Sequence, residues 1–178
     1  MEMQRIRKRL IRTTTGKRGS KLVLLLTVII LASCGNNKLV ESYTTMIDNQ
    51  WKESEIQRFS FEIADSVKNY DLFFTIKNNM DYPYYNIYLD YQLVKIEGEE
   101  EEVIKKELKE FILFDKKSGK PFGSGSSGLY DHELSLETGY DFAGTGKYEV
   151  RFQQYMRKEA LNGVAAVGLA LADHKTDQ

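Results

Sequence analysis

One cysteine, two histidines and two prolines are all that this 178-residue chain holds of those residue types. The single cysteine, Cys34, excludes an intramolecular disulfide and any thiolate cluster for a metal. His132 and His174 have no second ligand at metal spacing. They read as a solvent-facing strand residue and a tail residue, so no metal or cofactor is expected. Serines are scattered without a nucleophile elbow, and no carboxylate pair stands out, so no catalytic residue is expected and the chain does not read as an enzyme. Few prolines and plentiful aromatics argue against long disordered stretches away from the two ends. The main apolar run, Leu22–Leu31, is interrupted only by Thr27. It is about half the roughly 20 residues that a membrane-spanning helix requires.

What is present begins with an abrupt change of composition. Residues 1–21 carry eight basic side chains against one acid, Glu2, and the apolar run follows directly. A basic segment, an apolar segment and small residues at a cut site make a secretory signal. Leu31, Ala32, Ser33 and Cys34 resemble the lipobox of bacterial lipoprotein precursors, in which the cysteine is acylated and becomes the first residue. The expectation is a signal peptide over 1–33, a lipidated N-terminus and tether over 34–50, and a domain over 51–173. Acyl chains on Cys34 would hold the protein to a membrane. Gly35 stands where an inner-membrane lipoprotein commonly has aspartate, and Asn36-Asn37-Lys38 lacks an acidic surface-export cluster. The outer membrane, facing the periplasm, is therefore expected. Taking 8 basic and 1 acidic residue from 25 and 26 leaves 17 and 25, a net charge near −8. An acidic domain without a basic stripe is a poor partner for nucleic acid.

Period-two alternation dominates the remaining chain. Phe59, Phe61 and Ile63 share one face of a segment, as do Tyr70, Leu72, Phe74 and Ile76, and then Tyr85, Ile87, Leu89, Tyr91 and Leu93. The last two segments are separated by Asn78–Pro83, which is turn chemistry, and are expected to pair as a hairpin. Glu97–Glu102 reads as a solvated loop, Val103–Lys109 as helical by propensity, and Phe111–Phe114 as strand. Strands are also expected at Leu39–Tyr43, His132–Leu136, Lys147–Tyr155 and Val164–Ala172, with one helix over Met156–Asn162 ended by Gly163. About eight short strands with turns between them predict an all-β fold, an antiparallel β-sandwich.

Gly123-Ser124-Gly125-Ser126-Ser127-Gly128 spells G-x-G-x-x-G, but no long helical pattern follows, so a turn between strands is the better reading. Trp51, Tyr82, Tyr84, Tyr85 and Tyr88 offer a stacking platform for sugars if they lie on one surface; alternation places about half of them in the core. A glycan-binding lipoprotein is the alternative function. Gln154 and Arg157, at the exit of the strand carrying Tyr148, Val150 and Phe152, are the candidate partner contacts.

Several blocks resemble one family. They are Tyr70-Asp71-Leu72-Phe73-Phe74, the run Asn78–Asn86, Gly123-Ser124-Gly125 leading to Leu129-Tyr130-Asp131, and Gly146-Lys147-Tyr148. Gln153–Arg157, Leu161–Val164 and Val167-Gly168 follow in order. Together with the lipobox, they resemble the GldH family of gliding-motility lipoproteins over nearly the whole mature chain. Glu97–Lys109 is longer and more charged than the family pattern. The resemblance implies a non-enzymatic outer-membrane lipoprotein, with envelope partners in the gliding machinery and the type IX secretion apparatus. Relatives without gliding also carry members, so gliding by the host is not implied.

Overall fold

The computed structural model describes residues 38–175. The signal segment and Leu31, Ala32, Ser33 and Cys34 lie outside them. The strands are β1 (Lys38–Thr45), β2 (Gln50–Lys52), β3 (Gln57–Ile63), β4 (Asn69–Asn79), β5 (Asn86–Glu97) and β6 (Glu100–Ile112). They continue with β7 (Ser124–Ser126), β8 (Leu129–Asp141), β9 (Gly146–Gln154), β10 (Ala160–Asn162) and β11 (Val164–Asp173). One sheet has the order β1-β11-β4-β8-β7 and the other β3-β9-β5-β6, while β2 and β10 form a small ladder. Every pairing is antiparallel. The expected all-β antiparallel sandwich is thus observed, with eight long strands and three of three residues each.

The alternating faces meet between the sheets. Phe74 of β4 packs edge-on against Phe152 of β9, with centroids 5.0 Å apart, and stacks on Phe111 of β6 at 5.8 Å. Trp51 reaches the same ring at 6.5 Å. A second aromatic cluster surrounds Phe142, with Tyr148 at 4.7 Å and Tyr140 at 4.9 Å. Edge-to-face geometry of this kind adds about 0.5–1.5 kcal/mol per pair beyond area burial. Between β6 and β8 the sandwich is closed by charge: Lys105 and Lys109 reach Glu137 at 2.8 and 3.0 Å. Lys109 also donates to the Leu136 carbonyl.

Several expectations require correction. The strand expected at Leu39–Tyr43 is present but longer: β1 runs Lys38–Thr45 and pairs with β11. β4 and β5 are not a hairpin. They lie in opposite sheets, so their apolar faces meet across the core rather than side by side. Glu97–Glu102 is no loop: Gly98 and Glu99 alone form the turn of the β5–β6 hairpin, with Glu97 opposite Glu100. Val103–Lys109 is not helical but lies within β6. Hydrogen bonding along β5 outweighs its helix propensity, and its Lys/Glu content suits an exposed edge strand. Met156–Asn162 is a bend followed by β10, with no helix. Arg157 there has φ 55°, a left-handed conformation that interrupts any helix. His132 is buried, not solvent-facing, and packs against Phe114 at 5.5 Å. Burial lowers its pKa.

Candidate interaction surface

One end of the sandwich gathers the β4–β5 connection, the loop after β9, the turn at Asp115–Lys120 and the adjoining parts of β5 and β6. Local chemistry shapes each piece. The Asp81 amide donates to the Asn79 side-chain oxygen at 2.9 Å and the Tyr82 amide to the Asn79 carbonyl at 3.2 Å, an Asx-type turn. It turns the Tyr82 ring inward, where the hydroxyl donates to the Asn86 carbonyl at 2.7 Å and Phe114 stacks at 6.5 Å. Burial raises the Tyr82 pKa, so the hydroxyl stays a donor. Tyr84 packs edge-on against Tyr82 at 6.0 Å.

The loop after β9 is held from inside. Gln154 is fully buried; its amide donates to the Lys158 carbonyl at 2.6 Å and its oxygen accepts the Met156 amide at 2.9 Å. The Tyr155 amide donates to the Tyr88 carbonyl at 2.8 Å, and the Tyr88 amide to the Met156 sulfur at 3.1 Å. Arg157 is left at the surface. Of the two candidate contacts, Gln154 is therefore an internal brace and Arg157 the outward group. The turn at Asp115 is closed by the Ser118 hydroxyl and amide, both donating to its carboxylate at 2.7 Å. Those bonds hold the Asp115 pKa below the usual carboxylate range.

Two shallow grooves result. The first, about 550 Å³, is lined by Tyr84, Tyr88, Leu108, Tyr155, Met156 and Arg157. The second, about 300 Å³, includes Met80, Tyr84, Tyr85, Phe114, Lys116 and Tyr130. Tyr84 belongs to both. The Lys116 ammonium lies 5.0 Å from the Tyr85 ring centroid, in cation–π range. Glu110, bonded to Asn86 at 2.6 Å, raises the Tyr88 pKa by hydrogen bonding.

The five-residue sugar platform does not form. Trp51 is fully buried, with its indole N–H on the Glu55 carbonyl at 2.9 Å, and Tyr82 is buried too. Tyr84 is half-buried, and Tyr85 and Tyr88 are exposed. Leu108, Tyr155 and Lys116 were not anticipated from sequence. The only local hint was an apolar Leu108 within the charged run Lys105–Glu110. Among the described residues, no group of three or more His, Cys, Asp or Glu is placed to hold a metal.

Comparison with known proteins gives this surface its context. The chain is 29% identical over 161 residues to "Gliding motility lipoprotein GldH homolog" of Christiangramia forsetii, covering 85% of this chain and 94% of that one. It is 28% identical over 156 residues to "Gliding motility lipoprotein GldH" of Flavobacterium johnsoniae, covering 84% and 93%. No solved structure matches it. The profile of the GldH lipoprotein family matches residues 38–171, from the first residue of β1 into β11, and the chain belongs to that family.

Proposed function

We propose that the mature protein is a non-enzymatic, lipid-anchored component of the cell envelope, held in the outer membrane with its domain facing the periplasm. In this reading it works with the gliding machinery and the associated type IX secretion apparatus through protein contacts. The observation that carries the reading is the family match over 38–171 directly behind Leu31-Ala32-Ser33-Cys34. The names of the two relatives, both gliding-motility lipoproteins, support it. Residues 1–33 are the signal peptide and Cys34 carries the acyl chains. One myristoyl-length chain binds a membrane only reversibly, while two or three longer chains, at about 0.8 kcal/mol per buried methylene, make release negligible.

The test is Cys34→Ala followed by metabolic labelling with a palmitate analogue and intact-mass measurement. The variant is expected to remain a full-length precursor without label, while the native chain loses residues 1–33 and gains acyl mass. A native mature chain that begins with an unmodified Cys34 overturns the anchor. Crosslinking from native membranes tests the apparatus: recovery of no gliding or secretion component would remove that assignment.

A further inference from the structure

The cations of this acidic domain are unevenly employed. Lys38, Lys77, Lys105 and Arg151, for example, reach Glu133, Asp131, Glu137 and Glu101. Lys116, Lys117, Lys120, Arg157 and Lys158 form no ion pair among the described residues; Lys147 and Lys175 are the others. Five of the seven lie in the two loops that rim the tyrosine grooves, where Lys116 lines one groove and Arg157 the other. The neighbouring acids Glu110, Asp115 and Asp81 keep their charge but bond to neutral side chains, Asn86, Ser118 and Asn79, and pair with none of these cations, while Glu159, next to Lys158, lines a different groove with Lys52 and Glu53. Between these cations lie exposed apolar groups, with Leu108 57%, Tyr155 48% and Met80 75% accessible.

The strand register places this end of the sandwich opposite the end at which β1 begins. Lys38 pairs with Ala172 and Asp173 with Tyr70, whereas Asn78 and Asn79, at the other end of β4, meet Val164 and Leu129. Four residues from Cys34 to Lys38 span at most about 14 Å. The eleven residues of β4 then carry the chain about 35 Å onward. The grooves thus lie at the opposite end of β4 from the edge at which Lys38 enters the sheet. The sugar platform has lost Trp51 and Tyr82 to the core.

We infer that this end of the sandwich docks an acidic polypeptide segment bearing aromatic or aliphatic side chains, presented by another envelope protein. Its carboxylates meet Arg157, Lys158 and the Lys116–Lys120 turn, and its apolar side chains enter the grooves either side of Tyr84. The inference rests on the lipid-anchored reading for its orientation, but not for its chemistry.

The test uses the mature lipoprotein in nanodiscs, with a fluorescent random copolymer of glutamate and tyrosine as probe. Saturable binding is expected, tighter than that of polyglutamate and weakened by salt. Arg157→Glu and Lys116→Glu, made singly and together, should weaken it, the pair by about tenfold. Lys147→Glu should leave it unchanged. Melting temperatures report folding, and either single variant suffices if the pair fails to fold. No saturable binding, equal binding of polyglutamate, equal loss in Lys147→Glu, or displacement by a neutral β-glucan each overturns the inference, the last by assigning the grooves to a glycan. For orientation, Val67→Cys, beside the start of β4, and Phe122→Cys, beside β7, are labelled with a dye against a headgroup quencher. Val67 should be quenched and Phe122 not; the reverse overturns the placement. If instead the chain leaves the nanodisc, the anchor has failed, and the copolymer titration in solution still decides the docking chemistry.

Discussion

Truncating Phe74 to alanine should lower the unfolding free energy by about 3–5 kcal/mol, and Leu89→Ala by about 2–5 kcal/mol. Both side chains are fully buried, in β4 and β5 of opposite sheets. Phe74 sits where the rings of Trp51, Phe111 and Phe152 converge. Its removal leaves a cavity walled by rings from three other strands, β2, β6 and β9, and no single strand can shift to fill it without breaking its own ladder. The measurement is a urea titration, with the midpoint falling and the slope retained. If both midpoints barely move, these two positions do not hold the sheets together.

Gly163→Ala is the second large effect. The residue has φ +78°, and an added Cβ would overlap the Tyr82 amide nitrogen and the Asp81 carbonyl carbon, which are backbone atoms. Its own carbonyl accepts the Asn79 amide at 2.8 Å. The turn between β10 and β11 is therefore pressed against the connection that shapes the second groove. Gly98 is the matched control: φ +66°, with nothing within 4 Å of an added Cβ. Gly98→Ala should cost about 1–2 kcal/mol, the left-handed penalty alone. Gly163→Ala should cost at least about 3 kcal/mol, because backbone must also move. Equal shifts in melting temperature for the two variants would show that the close approach carries no energy.

Much of the sandwich was legible because burying one face of a strand imposes alternation on it. Phe59, Phe74, Leu89 and Val150 all lie in the core as their spacing predicts. Alternation says which face is inside, but not which strand is adjacent. That is why β4 and β5, joined by good turn residues, read as a hairpin although they face each other across the core. The Lys/Glu run of β6 misled in another way: side chains that favour an isolated helix also protect a sheet edge, and only the partner strand decides between them. At the grooves, Arg157 was visible as a charged residue leaving a strand. Gln154 carried the same signal, yet its amide has both a donor and an acceptor for an internal loop, and burial uses both. Leu108, Lys116 and Tyr155 come from three separate segments. Nothing local to any one of them marks the surface they share.

The order of strands in the larger sheet bears on how the chain comes to be folded at all. Among the described residues, β11, the last strand, is hydrogen-bonded between β1, the first, and β4. Until Val164–Asp173 is available, β1 has no neighbour and the inner face of β4 lacks Val167, Leu169 and Leu171 beside it. Loop closure across nearly the whole domain must precede that pairing, which makes it slow relative to local hairpins. A chain emerging N-terminus first can form the β5–β6 hairpin early, but it cannot complete its core before its final residues arrive. Such a chain commits to its fold only once Val164–Asp173 has been released to pair.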